Sequence, residues 1–382
     1  MALADLDAHL TPNYARFPVE FVRGEGARLW DANGVEYLDF LAGISVSSVG
    51  HCHPAVVAAI REQAERLIHV GNLYYTEPMA RVAARLAESS LGGKVFFTNS
   101  GTEAVEAALK CARKARQGGK LVSVHGAFHG RTYGALSVTP QESKQAPFAP
   151  LVGGVISVPP TIEALERSVD GFTAALILEP IQGETGIHVL PDELLAAARE
   201  ICDRCGAVLI FDEIQTGLGR TGTTWAYEQT PVVPDLLCTA KALGGGLPIG
   251  ALITGERHAD TFAPGDHGST FAGGPVACAA ANAVLDVLLD DDLLERVREL
   301  GELLAERLAL LPHVTDVRGR GLMLACELDI DARQVVARLL DEQRLVTNAT
   351  GPTTLRLLPP LVISERDALE ALRRIRAVLE GA

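Results

Sequence analysis

The chain has 382 residues, 48% hydrophobic and only 5% aromatic, with a formal net charge of −14; that length can bury a large core in more than one domain. So acidic a balance excludes nucleic acid or anionic membrane as the main partner, because both call for a basic surface. Seven cysteines, an odd number in mostly apolar contexts, do not suit a disulfide framework.

No basic-plus-apolar leader precedes Met1-Ala-Leu-Ala-Asp, and no apolar run approaches a membrane span, so the expectation is a soluble, cytoplasmic protein. Residues 1–50 read as an N-terminal segment of short strands. Within it, Glu25 to Phe40 predicts a hairpin whose turn is Asp31 to Gly34. Gly50-His-Cys-His-Pro then opens a helix with Pro54 at its first position. His51 and His53 bracket Cys52, but no further ligands lie nearby and successive side chains diverge, so no metal is expected there.

From Pro54 to about Asp286 the helical and strand periods alternate. Helices are predicted over roughly 54–69, 77–90, 102–117, 192–205 and 273–289. Strands are predicted at Val95–Thr98, Leu121–His125, Val155–Val158, Ala174–Glu179, Ala207–Asp212, Leu236–Thr239 and Ala251–Thr254. Strands separated by helices imply an α/β fold with a mainly parallel central sheet covered on both faces. Cys202 and Cys205 form a C-x-x-C at the end of a helical run, not in the strand-to-helix setting of a redox pair. After about residue 290 come a long amphipathic helix (292–311), a strand pair around a glycine-rich turn, a helix (331–343), a strand (Thr354–Leu358) and a last helix from Ser364. The predicted organisation is a large domain over 51–290 and a smaller α+β domain over 291–382, completed by residues 1–50.

Three stretches carry chemistry. Val95-Phe-Phe-Thr-Asn-Ser-Gly-Thr-Glu-Ala runs from strand through a small-residue turn into a helix. Ser100 and Glu103 have capping-box spacing, and the free N–H groups at such a helix start can hold a phosphate, with Gly101 allowing close approach. Phe128, flanked by glycines two residues away on each side, could stack on a planar ligand, and Arg131 supplies a fork for a carboxylate. Finally, the run Ala207–Phe211 ends in Asp212-Glu213, and Leu236–Thr239 ends in Ala240-Lys241. A buried carboxylate needs a cation, and a desolvated lysine is a nucleophile toward aldehydes. An acid for a pyridinium nitrogen and a Schiff-base lysine are the signature of pyridoxal phosphate enzymes; a plain Asp–Lys ion pair is the alternative. Gly217-Leu-Gly-Arg-Thr-Gly mimics a dinucleotide fingerprint by spacing, but no helical pattern follows it, which speaks against a nicotinamide oxidoreductase.

The chain resembles the class III (subgroup II) aminotransferases of pyridoxal-phosphate fold type I, and within them most closely the acetylornithine aminotransferases. The segments that carry the resemblance are Asn72-Leu-Tyr-Tyr-Thr-Glu-Pro, Thr98-Asn-Ser-Gly-Thr-Glu-Ala, Phe128-His-Gly-Arg-Thr, Glu179-Pro-Ile-Gln-Gly-Glu, Phe211-Asp-Glu-Ile-Gln-Thr-Gly, Ala240-Lys-Ala-Leu-Gly-Gly-Gly, His267-Gly-Ser-Thr-Phe-Ala and Leu355-Arg-Leu-Leu-Pro-Pro. The resemblance implies that Lys241 carries pyridoxal 5'-phosphate as a Schiff base and shuttles the proton, with Asp212 at the pyridine nitrogen. It places Gln215 near the phenolic oxygen, Phe128 on the ring face and Gly101 and Thr102 at the phosphate. It also implies a homodimer with shared active sites, Thr270 reaching the phosphate and Ser269 the substrate from the other subunit. Arg356 would bind the α-carboxylate of 2-oxoglutarate or glutamate, Arg131 that of the larger substrate, and Glu184 would pair with Arg356 and release it in turn.

The implied reaction is ping-pong transamination of N2-acetylornithine with 2-oxoglutarate, giving N-acetylglutamate 5-semialdehyde and glutamate, as in arginine biosynthesis. Ornithine, succinyl-diaminopimelate and 4-aminobutyrate remain alternative donors, and a non-catalytic protein that keeps the cofactor site is a further alternative. One departure from the family pattern, Ser45-Val-Ser-Ser-Val-Gly, places Ser47 where an asparagine is common, in a segment expected to border the substrate mouth.

Overall fold

The computed structural model describes residues 8–382; the first residues, on which the reading of an absent leader rests, lie outside the described residues. The N-terminal hairpin is present as β1 (Phe21–Glu25), β2 (Arg28–Asp31) and β3 (Glu36–Asp39), all antiparallel. Asp31 builds its turn: Oδ1 accepts the N–H groups of Asn33 and Val35, both at 2.9 Å.

The central sheet comprises β4 (Gly92–Thr98), β5 (Lys120–Val124), β6 (Val155–Val158), β7 (Thr173–Leu178), then, beyond the small ribbon β8 (Ile181–Gln182) and β9 (His188–Val189), β10 (Val208–Asp212), β11 (Leu236–Thr239) and β12 (Gly250–Gly255). Its order is β4-β12-β11-β10-β7-β5-β6. β10 runs parallel to β7 and β11, whereas β12 is antiparallel to both its neighbours. The apolar strand runs reflect burial on both faces. Leu209 and Phe211 join the core shared with the helices Pro54–Arg66, Glu77–Glu88, Asp192–Cys205 and Pro275–Leu288. Val208 and Ile210 point the other way, into the core under the helix Gly101–Ala115.

The chain's last third forms β13 (Val314–Arg320), β14 (Met323–Leu328), β15 (Leu345–Val346), β16 (Asn348–Ala349) and β17 (Thr354–Leu357), with the helices Asp291–Leu308, Ala332–Gln343 and Glu365–Leu379. β13, β14, β17 and β16 make an antiparallel sheet in that order. The chain ends meet: β15 pairs parallel with β3, Leu345 opposite Leu38. Arg28 reaches Asp367 at 2.8 Å and Glu370 at 2.9 Å. The fold is therefore α/β, with a large, mainly parallel sheet and a smaller α+β part assembled from both ends of the chain.

His51 is held by Asp39, Nε2 to Oδ2 at 2.7 Å, and no group of three or more possible metal ligands occurs among the described residues. Cys202 and Cys205 are free thiols at the end of a helix. Gly217–Gly222 leads into turns and then a short 3-10 helix, Ala226–Gln229. Among the described residues no helix is long and apolar enough to cross a membrane.

Candidate active site

Five chemistry-bearing segments leave the same edge of the central sheet, the C-terminal ends of β4, β5, β7, β10 and β11, where open α/β sheets bind ligands. They surround a cavity of about 410 Å3 lined by Asn99, Gly101, Thr102, Phe128, Arg131, Glu179, Glu184, Asp212, Gln215 and Lys241, among others. That size suits a cofactor-scale ligand.

After β4, Ser100 caps the helix Gly101–Ala115, its Oγ accepting the Glu103 N–H at 3.4 Å. The expected capping box is only half formed. Glu103 Oε2 accepts from the N–H and side-chain amide of Asn99, at 2.7 and 2.9 Å, and not from the N–H of Ser100, because Asn99 offers it two donors at once. The N–H groups of Gly101 and Thr102 open the helix with no acceptor among the described residues. Gly101 is required by packing: a Cβ there would lie 2.7 Å from Ile214 Cδ1. Thr102 Oγ1 is engaged by Thr132 Oγ1 at 2.8 Å and by the N–H groups of Arg131 and Thr132, each at 3.2 Å, which ties the phosphate-type turn to the next loop.

That next loop follows β5. Phe128 borders the cavity, with the Arg131 guanidinium 5.5 Å and the Lys144 ammonium 5.7 Å from its ring centroid. Arg131 is exposed. His129, which motif reading passed over, is 1% exposed. Its Nδ1 lies 2.8 Å from Asp212 Oδ2, while its Nε2 is buried without a partner.

Asp212, 4% exposed at the end of β10, also accepts the Ile214 N–H at 3.1 Å. Among the described residues no ion pair joins it to Lys241, so the structure does not contain the plain Asp–Lys bridge that the sequence left open. Lys241 lies two residues past β11, in a 3-10 turn, with φ +40°. A lysine in the left-handed region is strained, and such strain persists only where surroundings over-determine it. Burial lowers the amine's pKa; Glu184 opposes that, Arg356 adds to it, and Asp212 and Glu179 oppose it. A lowered pKa makes the amine a better nucleophile.

Arg356 sits in β17, which pairs on both sides with β14 and β16, so it does not lie on a sheet edge. It is 0% exposed. Its NH1 donates to Glu184 Oε1 at 2.8 Å and to the Gly183 carbonyl at 2.9 Å, and its Nε to Asn348 Oδ1 at 3.1 Å. Gln215 Nε2 donates to the same Glu184 Oε1 at 3.0 Å. Burial alone would raise the Glu184 pKa, but Arg356, Lys241 and these hydrogen bonds hold it down at about 2. Glu179 is the opposite case. It is buried, and burial, reinforced by Asp212, pushes its carboxyl up to about 8.

Ser269 and Thr270 do not line this cavity. Ser269 Oγ accepts from Asn99 Nδ2 at 2.9 Å, and Thr270 is exposed. Val46 does line it, at the end of a left-handed turn in which Ala42, Gly43, Ile44 and Ser45 have φ of 49°, 61°, 62° and 64°. Only Gly43 hinted at that turn in the sequence.

The donor set fits pyridoxal phosphate: free helix-start N–H groups for an anion, an aromatic wall, a buried carboxylate with its own imidazole partner, and a desolvated lysine lining the same cavity. Gly130 belongs to the same cradle, since a Cβ there would fall 2.2 Å from Thr102 Oγ1.

The chain is similar to known proteins over nearly its whole length. The family model described as "Aminotransferase class-III" matches residues 10–379. The chain is 48% identical to an acetylornithine aminotransferase of Caldanaerobacter subterraneus, over 97% of each chain. It is also 48% identical to one from Methanopyrus kandleri, over 99% of this chain and 98% of that one. Among solved structures, an ornithine aminotransferase from Toxoplasma gondii superposes with TM-score 0.94 at 37% identity, covering 99% of this chain and 94% of its own. An acetylornithine aminotransferase from Elizabethkingia anophelis superposes with TM-score 0.88 at 35% identity, covering 99% and 98%. The chain belongs to the class-III aminotransferases.

Proposed function

We propose that this aminotransferase takes the terminal amino group of N2-acetylornithine and passes it to 2-oxoglutarate, with pyridoxal 5'-phosphate as cofactor. The observation that carries the reading is the Glu184–Arg356 pair, 2.8 Å long, beside Lys241. Two substrates must use one cavity in turn, and a buried arginine covered by a movable carboxylate can present either a neutral or a cationic wall.

When bound, pyridoxal phosphate supplies an aldehyde that condenses with amines and a ring that stores an electron pair. Lys241 holds the cofactor and moves the proton at the substrate carbon. Asp212, steadied by His129, keeps a proton on the pyridine nitrogen. Gly101 and Thr102 bind the phosphate, Phe128 stacks on the ring, and Gln215 orients Glu184 and the ring's oxygen side. Arg131 binds the α-carboxylate of the acylated diamine and so holds its terminal amine at the cofactor. Arg356, uncovered when Glu184 swings away, binds 2-oxoglutarate or glutamate.

The homodimer and the cytoplasmic setting belong to the same proposal. Leu73, Tyr75 and Phe271 are 91%, 98% and 70% exposed, next to Ser269 and Thr270. A second copy covering this apolar surface would bring Ser269 and Thr270 to the partner's cavity. Sedimentation equilibrium is expected to give a dimer, and an active monomer would contradict the shared site. The division into 51–290 as cofactor-binding domain, with 1–50 and 291–382 as the smaller one, is proposed likewise.

The substrate is tested by comparing kcat/KM for N2-acetylornithine, ornithine, succinyl-diaminopimelate and 4-aminobutyrate. The acetylated donor is expected to lead, and a clear preference for 4-aminobutyrate would overturn the assignment.

A further inference from the structure

Glu179 follows β7 directly and carries its carboxyl into the space between two loops. Its Oε1 accepts the N–H of Phe128 at 2.8 Å, and its Oε2 accepts the N–H of Gly183 at 3.2 Å. The first loop bears the aromatic wall and Arg131. The second bears Glu184, and the Gly183 carbonyl itself accepts from Arg356 at 2.9 Å. No arginine or lysine is ion-paired with Glu179 among the described residues; the charged groups facing it are Asp212 from the end of β10 and Lys241 from the turn after β11.

A buried carboxyl without a paired cation is costly, and an apolar residue would be cheaper if packing were all that mattered. Two backbone donors arriving from opposite sides explain it. Only a carboxyl offers an acceptor oxygen to each; an amide would set its own N–H groups against one of them. Position 183 is a glycine, and a Cβ there would fall 2.1 Å from Gln215 Oε1, the side chain that also holds Glu184.

We propose that Glu179 is a positioning residue that staples the Arg131 loop to the Glu184 loop, so that both carboxylate-binding sites depend on one side chain. The proposal rests on the assignment of Arg131 and Arg356 to different substrates. With Gly183 pinned, Glu184 uncovers Arg356 by rotation of its side chain, and the loop stays in place. A residue serving only local packing would affect one loop; the staple must affect both.

The test uses 15N-labelled wild-type enzyme, with and without its cofactor, and follows the Phe128 and Gly183 amide shifts against pH. Because both amides hang on one carboxyl, whose pKa burial and Asp212 raise to about 8, they are expected to move together with a common midpoint. Glu179→Gln is expected to abolish that transition and to raise KM by about tenfold in both half-reactions, the scale of one unmade buried hydrogen bond. Different midpoints for the two amides in the wild type, or KM raised in one half-reaction alone, would overturn the staple. Wild-type turnover of N2-acetylornithine is the control. Its absence would remove the substrate reading and leave the amide result to be judged by itself.

Discussion

Glu184 is pulled in two directions: burial favours its neutral form, while Arg356 and Lys241 favour the carboxylate and win, holding its pKa near 2 against an ordinary 4.5. A folded-state pKa below the unfolded one contributes stability that is full above the unfolded value and lost as pH falls through the folded one. The difference in Tm between wild type and Glu184→Gln should therefore be constant from pH 7 to about 5 and shrink between about 4.5 and 2. A difference that does not change with pH in that window would mean that the Arg356 pair does not form in solution. At this scale the sequence disclosed residues that end strands or open helices, such as Asp212, Lys241 and Gly101, because element boundaries are written locally. It did not disclose His129 and Glu179 as partners. Their bonds to Asp212 and Phe128 span 83 and 51 residues, and only the parallel packing of β5, β7 and β10 brings those strand ends together.

At the scale of elements, the helix Gly101–Ala115 begins at a glycine pressed against Ile214, where a Cβ would fall 2.7 Å from Cδ1. Gly101→Ala should push the helix start away from the cavity, an overpacking cost of about 1–3 kcal/mol, and weaken pyridoxal phosphate binding by about tenfold or more. Removing the obstacle should restore it: the double variant Gly101→Ala/Ile214→Ala is expected to bind the cofactor nearly as the wild type does, measured by equilibrium dialysis. If the double variant stays weak, the glycine is needed by the phosphate itself. The strands of the central sheet were legible to within a few residues, since fully buried parallel strands are short apolar runs bounded by turn formers. The left-handed turn at Ala42–Ser45 was not. Alanine, isoleucine and serine do not favour positive φ, so that conformation is held by side-chain bonds at its two ends, one local and one long-range. Asp39 Oδ1 accepts the N–H groups of Leu41 and Ala42 at 2.8 and 2.9 Å, and Arg220 NH2 donates to Ser48 Oγ at 3.0 Å.

For the whole molecule, the two chain ends share one small structure through β3 and β15, and Arg220 ties it to the large sheet. Buried at 1% exposure, Arg220 donates from NH1 to the carbonyls of Leu322 and Pro359, at 3.0 and 2.6 Å. The glycine-rich stretch whose spacing mimicked a dinucleotide site is thus a joint between the two parts of the fold. That Lys241 alone carries the cofactor, at the meeting point of these parts, follows from the proposed function. It is tested most directly by reducing the purified, yellow enzyme with borohydride and mapping the modified peptide. One labelled residue, Lys241, is expected, with complete loss of activity on labelling; a label fixed to any other lysine would overturn the assignment.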